Sequence, residues 1–182
     1  MICFLTRVLD RASRAVARGA SSFVFNPRRD ADARGALGRP VDLRVVGADD
    51  EMVLLVASAG DRRHALQVLV PSGGKGRSIA PLGDPEERFR RIRGLDWRDG
   101  ELAVVEAGAR RVQVFEGSLT GRLVFRFAFP VPEELGEPEA VALAGEGRFL
   151  VVTRGDRSGL HLFDAAGRPI RTVAGDEREV GE

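Results

Sequence analysis

The sequence predicts an all-β fold: an incomplete β-propeller of about three four-stranded antiparallel blades, preceded by an N-terminal helix or leader. Three observations carry this expectation. The first is a two-strand phrase, Glu101 to Glu116 (ELAVVEAGARRVQVFE). In it an apolar, β-branched run, Leu102 to Glu106, is followed by the turn Ala107-Gly108-Ala109-Arg110-Arg111 and then by Val112 to Phe115, which alternates like a half-buried strand. The second is recurrence. Leu66-Gln67-Val68-Leu69 and Leu160-His161-Leu162-Phe163 repeat the second strand, with 46 and 48 residues between successive copies. Propeller blades are typically about 40–50 residues long. The third is that the flanks fall into register. An apolar strand lies upstream of each hairpin (Val41 to Val46, Arg93 to Trp97, Ala140 to Leu143), and a strand after a Gly-containing turn lies downstream (Arg77 to Ala80, Arg122 to Phe129, Pro169 to Ala174). Each unit has one apolar face too many for a sheet standing alone, so neighbours must stack.

Taken in order, residues 1–20 are a basic amphipathic leader. Ile2, Leu5, Val8/Leu9, Ala12 and Ala15/Val16 fall at helical spacing, with Arg7, Arg11, Arg14 and Arg18 between them. Up to Pro40 eight Arg face three Asp, a balance of +5 that leaves −4 for the rest of a chain whose net charge is +1. An Arg-rich, acid-poor amphipathic start suits an organellar import segment, or a surface helix on an anionic membrane; otherwise the expected compartment is the cytoplasm. The apolar run Ile2 to Leu5 is too short for a membrane span. Residues 21–39 read as the outer strand of a preceding blade and its linker, with Ser21 to Phe25 the strand. Three blades follow within 40–175, at 40–84, 92–129 and 138–175, and 176–182 form a tail. Three blades and a fraction leave two apolar blade faces unpaired. A fragment of a longer protein, a pair of chains completing one ring, and an open arc are the expectations, in that order.

The repeat unit resembles the NHL repeat of β-propellers. That family's blade centre reads as an aliphatic strand, an acidic residue, a short Gly/Asn turn, Arg and an apolar strand. Glu106, Arg111 and Val112-Gln113-Val114-Phe115 match it position by position. In the other two copies Ser58 and Thr153 stand where the acid would be, and the turns, which carry Gly60-Asp61-Arg62 and Gly155-Asp156-Arg157, are longer. The resemblance covers residues 40–175 and implies a binding scaffold. Some NHL proteins are ubiquitin ligases, which implies a zinc-binding domain that this sequence lacks.

Composition removes several chemistries. A single cysteine, Cys3, excludes an internal disulfide framework, and one Cys with two His, His64 and His161, cannot build a zinc finger or RING-type site. No metal, cofactor or catalytic residue is expected. The innermost strands offer only Asp42 and Asp96 as oxygen ligands, fewer than the six or so donors Ca²⁺ requires. Gly73-Gly74-Lys75-Gly76-Arg77-Ser78 lacks the phosphate-loop spacing and suits a hairpin turn. Of the 28 basic residues only Lys75 is lysine, a ratio that fits a GC-rich genome better than it fits phosphate recognition.

The expected function is a non-catalytic propeller module that binds a protein or peptide through arginine-bearing turns on one face. The candidate contact residues are Arg62, Arg63 and His64, then Arg110 and Arg111, then Arg154 and Arg157. Asp61, Asp156, Glu133, Glu134, Glu137 and Glu139 make the same face electrostatically mixed. Arg88, Arg90, Arg91 and Arg93 form the densest basic run, in the linker before the second blade. Aromatics able to stack bases are scarce there, Phe89 and Trp97 being the nearest, and core packing explains both. The alternatives are a fragment of a six-bladed propeller enzyme, a metal-dependent hydrolase or lyase, and an RNA-binding surface.

Overall fold

A computed structural model of the chain describes residues 39–47, 52–59, 66–69, 77–79, 89–119 and 123–175. The leader, the strand expected at 21–25, the turn with Arg62, Arg63 and His64, the loop around Lys75 and the tail lie outside the described residues. Among the described residues twelve strands form three four-stranded antiparallel sheets, each in simple up-and-down order. The first sheet contains β1 (Pro40–Val46), β2 (Val53–Ser58), β3 (Leu66–Leu69) and β4 (Arg77–Ile79). The second contains β5 (Ile92–Arg98), β6 (Glu101–Glu106), β7 (Arg111–Gly117) and β8 (Leu123–Pro130). The third contains β9 (Glu137–Gly145), β10 (Arg148–Arg154), β11 (Gly159–Phe163) and β12 (Pro169–Gly175). A 3-10 turn, Glu133–Leu135, sits in the linker between the second and third sheets.

The sheets are consecutive propeller blades. Their first strands, β1, β5 and β9, lie beside one another, and the remaining strands fan outward. Two apolar layers fill the gaps. Val53, Leu55, Leu66 and Val68 of the first blade meet Leu95, Leu102, Val104 and Phe115 of the second, with Phe89 of the intervening linker in the same layer. The opposite face of the second blade, Ala103, Val105, Val112, Val114 and Phe129, meets Val141, Phe149, Val151 and Phe163 of the third. The alternation of β6 is thus buried on both sides, which is why it reads as a continuous apolar run rather than as in-and-out alternation. Phe129 packs its ring 5.1 Å from Phe149 and 5.3 Å from Phe163. Removing one such ring from water contributes roughly 1.5–3 kcal/mol.

The strands expected within residues 40–175 are present, with shifted ends. Arg111, expected in the turn, opens β7 opposite Glu106, and the third blade's first strand begins three residues before Ala140. Phe89 lies before the expected start of its blade yet is 2% exposed, because it plugs the seam between the first two blades. The connection from β5 to β6 is a two-residue hairpin: Asp99 and Gly100 have φ of 49° and 86°, between the paired residues Arg98 and Glu101. On the third blade Val152, Ile170 and Val173 are exposed.

The turn between β11 and β12 is built by one carboxylate. Asp164 Oδ1 accepts the backbone N–H groups of Ala166 and Arg168, and Oδ2 accepts Arg168 Nε. The turn places Gly167 at φ 73° against Phe129 of the preceding blade, and a Cβ built there would lie 2.1 Å from that ring's Cγ. Gly167→Ala therefore combines a left-handed backbone with overpacking of the inter-blade core, and we expect a loss of about 3 kcal/mol in denaturant unfolding. Gly100→Ala has the same backbone conflict, but its nearest neighbour is a carbonyl at 3.3 Å, and it should cost only about 1–2 kcal/mol. Equal costs for the two variants would contradict the packing assigned to Gly167.

Candidate functional site

In the second and third blades the turn between second and third strands lies against the described part of the neighbouring linker, and backbone hydrogen bonds join the second blade's turn to the linkers on both sides. Ala107 and Gly108 donate to the carbonyls of Arg91 and Arg90, each at 3.1 Å, and Val131 donates to that of Arg110 at 2.8 Å. Beneath this surface lies the fully buried Glu106. Its Oε1 accepts Arg111 Nε at 2.8 Å and Gln113 Nε2 at 2.6 Å, and its Oε2 accepts the backbone N–H of Arg90. One carboxylate thus joins the end of β6, the start of β7 and the preceding linker. A buried charge is tolerable only with partners of this quality.

The same two positions recur in each blade. The strand registers align Gln67, Gln113 and His161 on the third strands, opposite Val56, Val104 and Val151. All three polar side chains are buried, as are Ser58, Glu106 and Thr153, which follow those valines by two positions on the second strands. In the third blade His161 Nε2 and Thr153 Oγ1 are 2.9 Å apart, and Nδ1 lies 3.0 Å from Thr172 Oγ1. Burial pushes the His161 pKa below its ordinary value, against the opposing pull of the Leu135 carbonyl.

The sequence-derived contact residues divide into two groups. Arg110, at φ 48°, turns its guanidinium onto the linker, where Nη2 donates to the Gly136 carbonyl at 2.7 Å and the Pro132 carbonyl at 3.2 Å. Arg111 is tied to Glu106. Both are braces of the surface, so reversing their charges disturbs the fold itself. Arg154 and Arg157 are exposed, as are Arg90 and Arg91. Arg62, Arg63 and His64 lie outside the described residues.

Asp42 and Asp96, the innermost carboxylates, are backbone clamps. Asp42 Oδ2 accepts Leu95 N–H at 2.9 Å, and Asp96 Oδ2 accepts Leu143 N–H at 2.8 Å, so each inner strand holds the next. Asp96 also pairs with Arg44. Among the described residues no group of three or more His, Cys, Asp or Glu side chains could hold a metal ion, and no helix is long and apolar enough to cross a membrane.

One cluster escaped sequence reasoning. At the mouth of the inner strands, Glu137 Oε1 meets Arg91 Nη2 at 2.7 Å, Arg154 Nη2 at 3.3 Å and Arg93 Nη2 at 3.7 Å. Arg154 also reaches Glu139 Oε1 at 3.5 Å. Partial burial works to raise the Glu137 pKa, but the hydrogen bond from Arg154 and the charges of Arg91, Arg154 and Arg93 outweigh it and hold the carboxyl below its ordinary value. The available signal was positional. Arg39, Arg91 and Glu137 occupy the same place in successive repeats, just before or at the first inner-strand residue.

No family model and no curated protein matches the sequence. Solved structures do resemble the fold. A protein described as exported, from Bacteroides fragilis NCTC 9343, superposes with a TM-score of 0.55 at 15% identity over 78% of this chain and 39% of its own. YCF48 bound to a D1 peptide gives 0.52 at 12% identity over 75% and 41%, and a chain of a nidogen–laminin complex gives 0.55 at 14% over 78% and 50%. The chain therefore spans about 40–50% of the length of these neighbours.

The buried histidine yields a pH prediction. Its folded pKa lies below the ordinary 6.5, so the stability due to neutral His161 is fully present above that pH and is lost as pH falls through the folded pKa. The carboxyl of Glu137, held below 4.5, titrates outside this window. We expect the thermal midpoint to fall from about pH 7 to about pH 5, and to fall less in His161→Gln, which installs the residue of the other two blades. Parallel slopes in the two proteins would contradict the assignment. The comparisons close on the same point as the geometry: at 12–15% identity the likeness is one of fold, three consecutive blades of a β-propeller.

Proposed function

We propose that this chain is a non-catalytic protein-binding module with NHL-like blades, and that its contact surface is the side carrying the turns and linkers. One observation carries the reading: exposed arginines, Arg90, Arg91, Arg154 and Arg157, stand on a backbone held rigid by linker-to-turn hydrogen bonds and by the buried Glu106. A rigid framework spares much of the ordering entropy that binding otherwise costs, and arginine is the side chain best suited to charged and planar groups on a partner. The match of Glu106, Arg111 and Val112 to Phe115 to the NHL pattern supports the same reading, since those residues form the brace under the surface. Two fold neighbours point the same way: YCF48 is bound to a D1 peptide, and another neighbour belongs to a nidogen–laminin complex.

The test uses arginines that join the braces through backbone atoms alone or not at all, so that their side chains can be changed. The full chain, Arg90→Glu/Arg157→Glu and Arg171→Glu, a control on the outermost strand, serve as baits. Wild type and control should retain the same protein partners, and the double variant should lose them by about tenfold or more, equivalent to about 1.4 kcal/mol. Equal retention by all three, with unchanged thermal midpoints, would reject this face as the contact surface.

A further inference from the structure

Three guanidinium groups, those of Arg91, Arg93 and Arg154, converge on the single oxygen Oε1 of Glu137, although they come from β10 and from the start of β5 and its linker. With Glu139 included the cluster holds three positive charges against two negative ones. Three guanidiniums carry about fifteen N–H donors, far more than two carboxylates can accept in one place. Arg93 Nε is buried and has no hydrogen-bond partner among the described residues. Arg91 and Arg154 remain half exposed, at 52% and 45%, so both side chains stay accessible to solvent while paired with Glu137. The backbone fixes the arrangement: Arg91 is held at φ 58°, with its carbonyl bonded to Ala107 N–H.

We propose that this cluster is a carboxylate-recognition site for an acidic segment of a partner protein, with Glu137 as its built-in competitor. The proposal rests on the turn-and-linker side being the contact surface. Arg91 and Arg154 present planar forks that match a carboxylate in two-point contact. Glu137 holds them together in the free chain, which preorganises the site, and it raises the threshold a ligand must pass: one weak carboxylate cannot displace it, whereas neighbouring acidic residues can engage both forks. The surroundings favour a protein carboxylate over a nucleic-acid backbone. Glu133, Glu134 and Glu139 flank the cluster and oppose an extended polyanion, while Phe89 and Trp97 are packed into the core and offer no face for a base.

Calorimetry on the full chain tests this with three probes: a Gly/Glu peptide carrying paired glutamates, its Gln counterpart, and oligouridine. The acidic peptide should bind, weaken with added salt, and exceed the Gln peptide by about tenfold or more, since a lost charged contact is worth about 1.4 kcal/mol or more. Arg91→Gln and Arg154→Gln should each weaken the acidic peptide several-fold, whereas Glu137→Gln should tighten it several-fold by removing the competitor. A merely structural role for Glu137 predicts the opposite sign. Equal binding of the Glu and Gln peptides, weaker binding in Glu137→Gln, or preference for oligouridine would each overturn the proposal. If the peptides fail to discriminate while Arg90→Glu/Arg157→Glu still loses its partners, the carboxylate assignment falls alone. If that double variant also keeps its partners, the contact surface falls with it.

Discussion

Everything on the side of the turns and linkers depends on how a single carboxylate is buried. Glu106 has no solvent to satisfy it, so it gathers Arg111, Gln113 and the amide of Arg90. Those three donors come from the strand after the turn and from the linker before the blade, so satisfying one charge fixes the relative position of three chain segments. Breaking a buried pair by removing one partner typically costs about 3–5 kcal/mol, far more than an exposed pair on the same surface contributes. The energetic asymmetry explains the architecture: the interior ion pair positions, and the exterior arginines remain available.

The blades repeat a geometric solution with different chemistry. Where the second blade uses Glu106 with Gln113, the third uses Thr153 with His161, a neutral pair that needs no counter-charge. The inner strands are locked by a second device, Asp42 and Asp96 reaching across to the amides of Leu95 and Leu143. Neighbouring blades are thus held by polar contacts at the inner strands and at the linkers, with apolar packing between. That combination keeps the mouth of the inner strands rigid enough for Arg91, Arg93 and Arg154 to stay converged on one oxygen.

The blade pattern was legible because it depends on local rules. Period-two alternation, the Gly-containing turns and the recurrence of a four-residue strand located nearly every described element, and the family pattern singled out Glu106, Arg111 and Gln113. What the side chains do was less legible. A basic residue in a turn is ordinarily solvated, so Arg110 and Arg111 read as contact residues, whereas positive φ at Arg110 and the buried Glu106 turn both inward. Asp42 and Asp96 read only as too few oxygen donors for a metal, because the amides they clamp on the next inner strand lie 53 and 47 residues away. The Glu137 cluster joins residues from two blades, and no single-chain charge count reveals which arginines share an oxygen.

The most direct test of this account is native-state hydrogen exchange at the amide of Arg90, compared with Val104 and Val114 in the centre of the same blade. If Glu106 is the brace, the Arg90 amide, though it lies in a linker outside any strand, exchanges only through global unfolding and at the same free energy as the central strands. Exchange of Arg90 near the rate of an open peptide, with Val104 and Val114 still protected, would show that the linker is not held by the buried carboxylate, and the rigid arginine surface built upon it would lose its foundation.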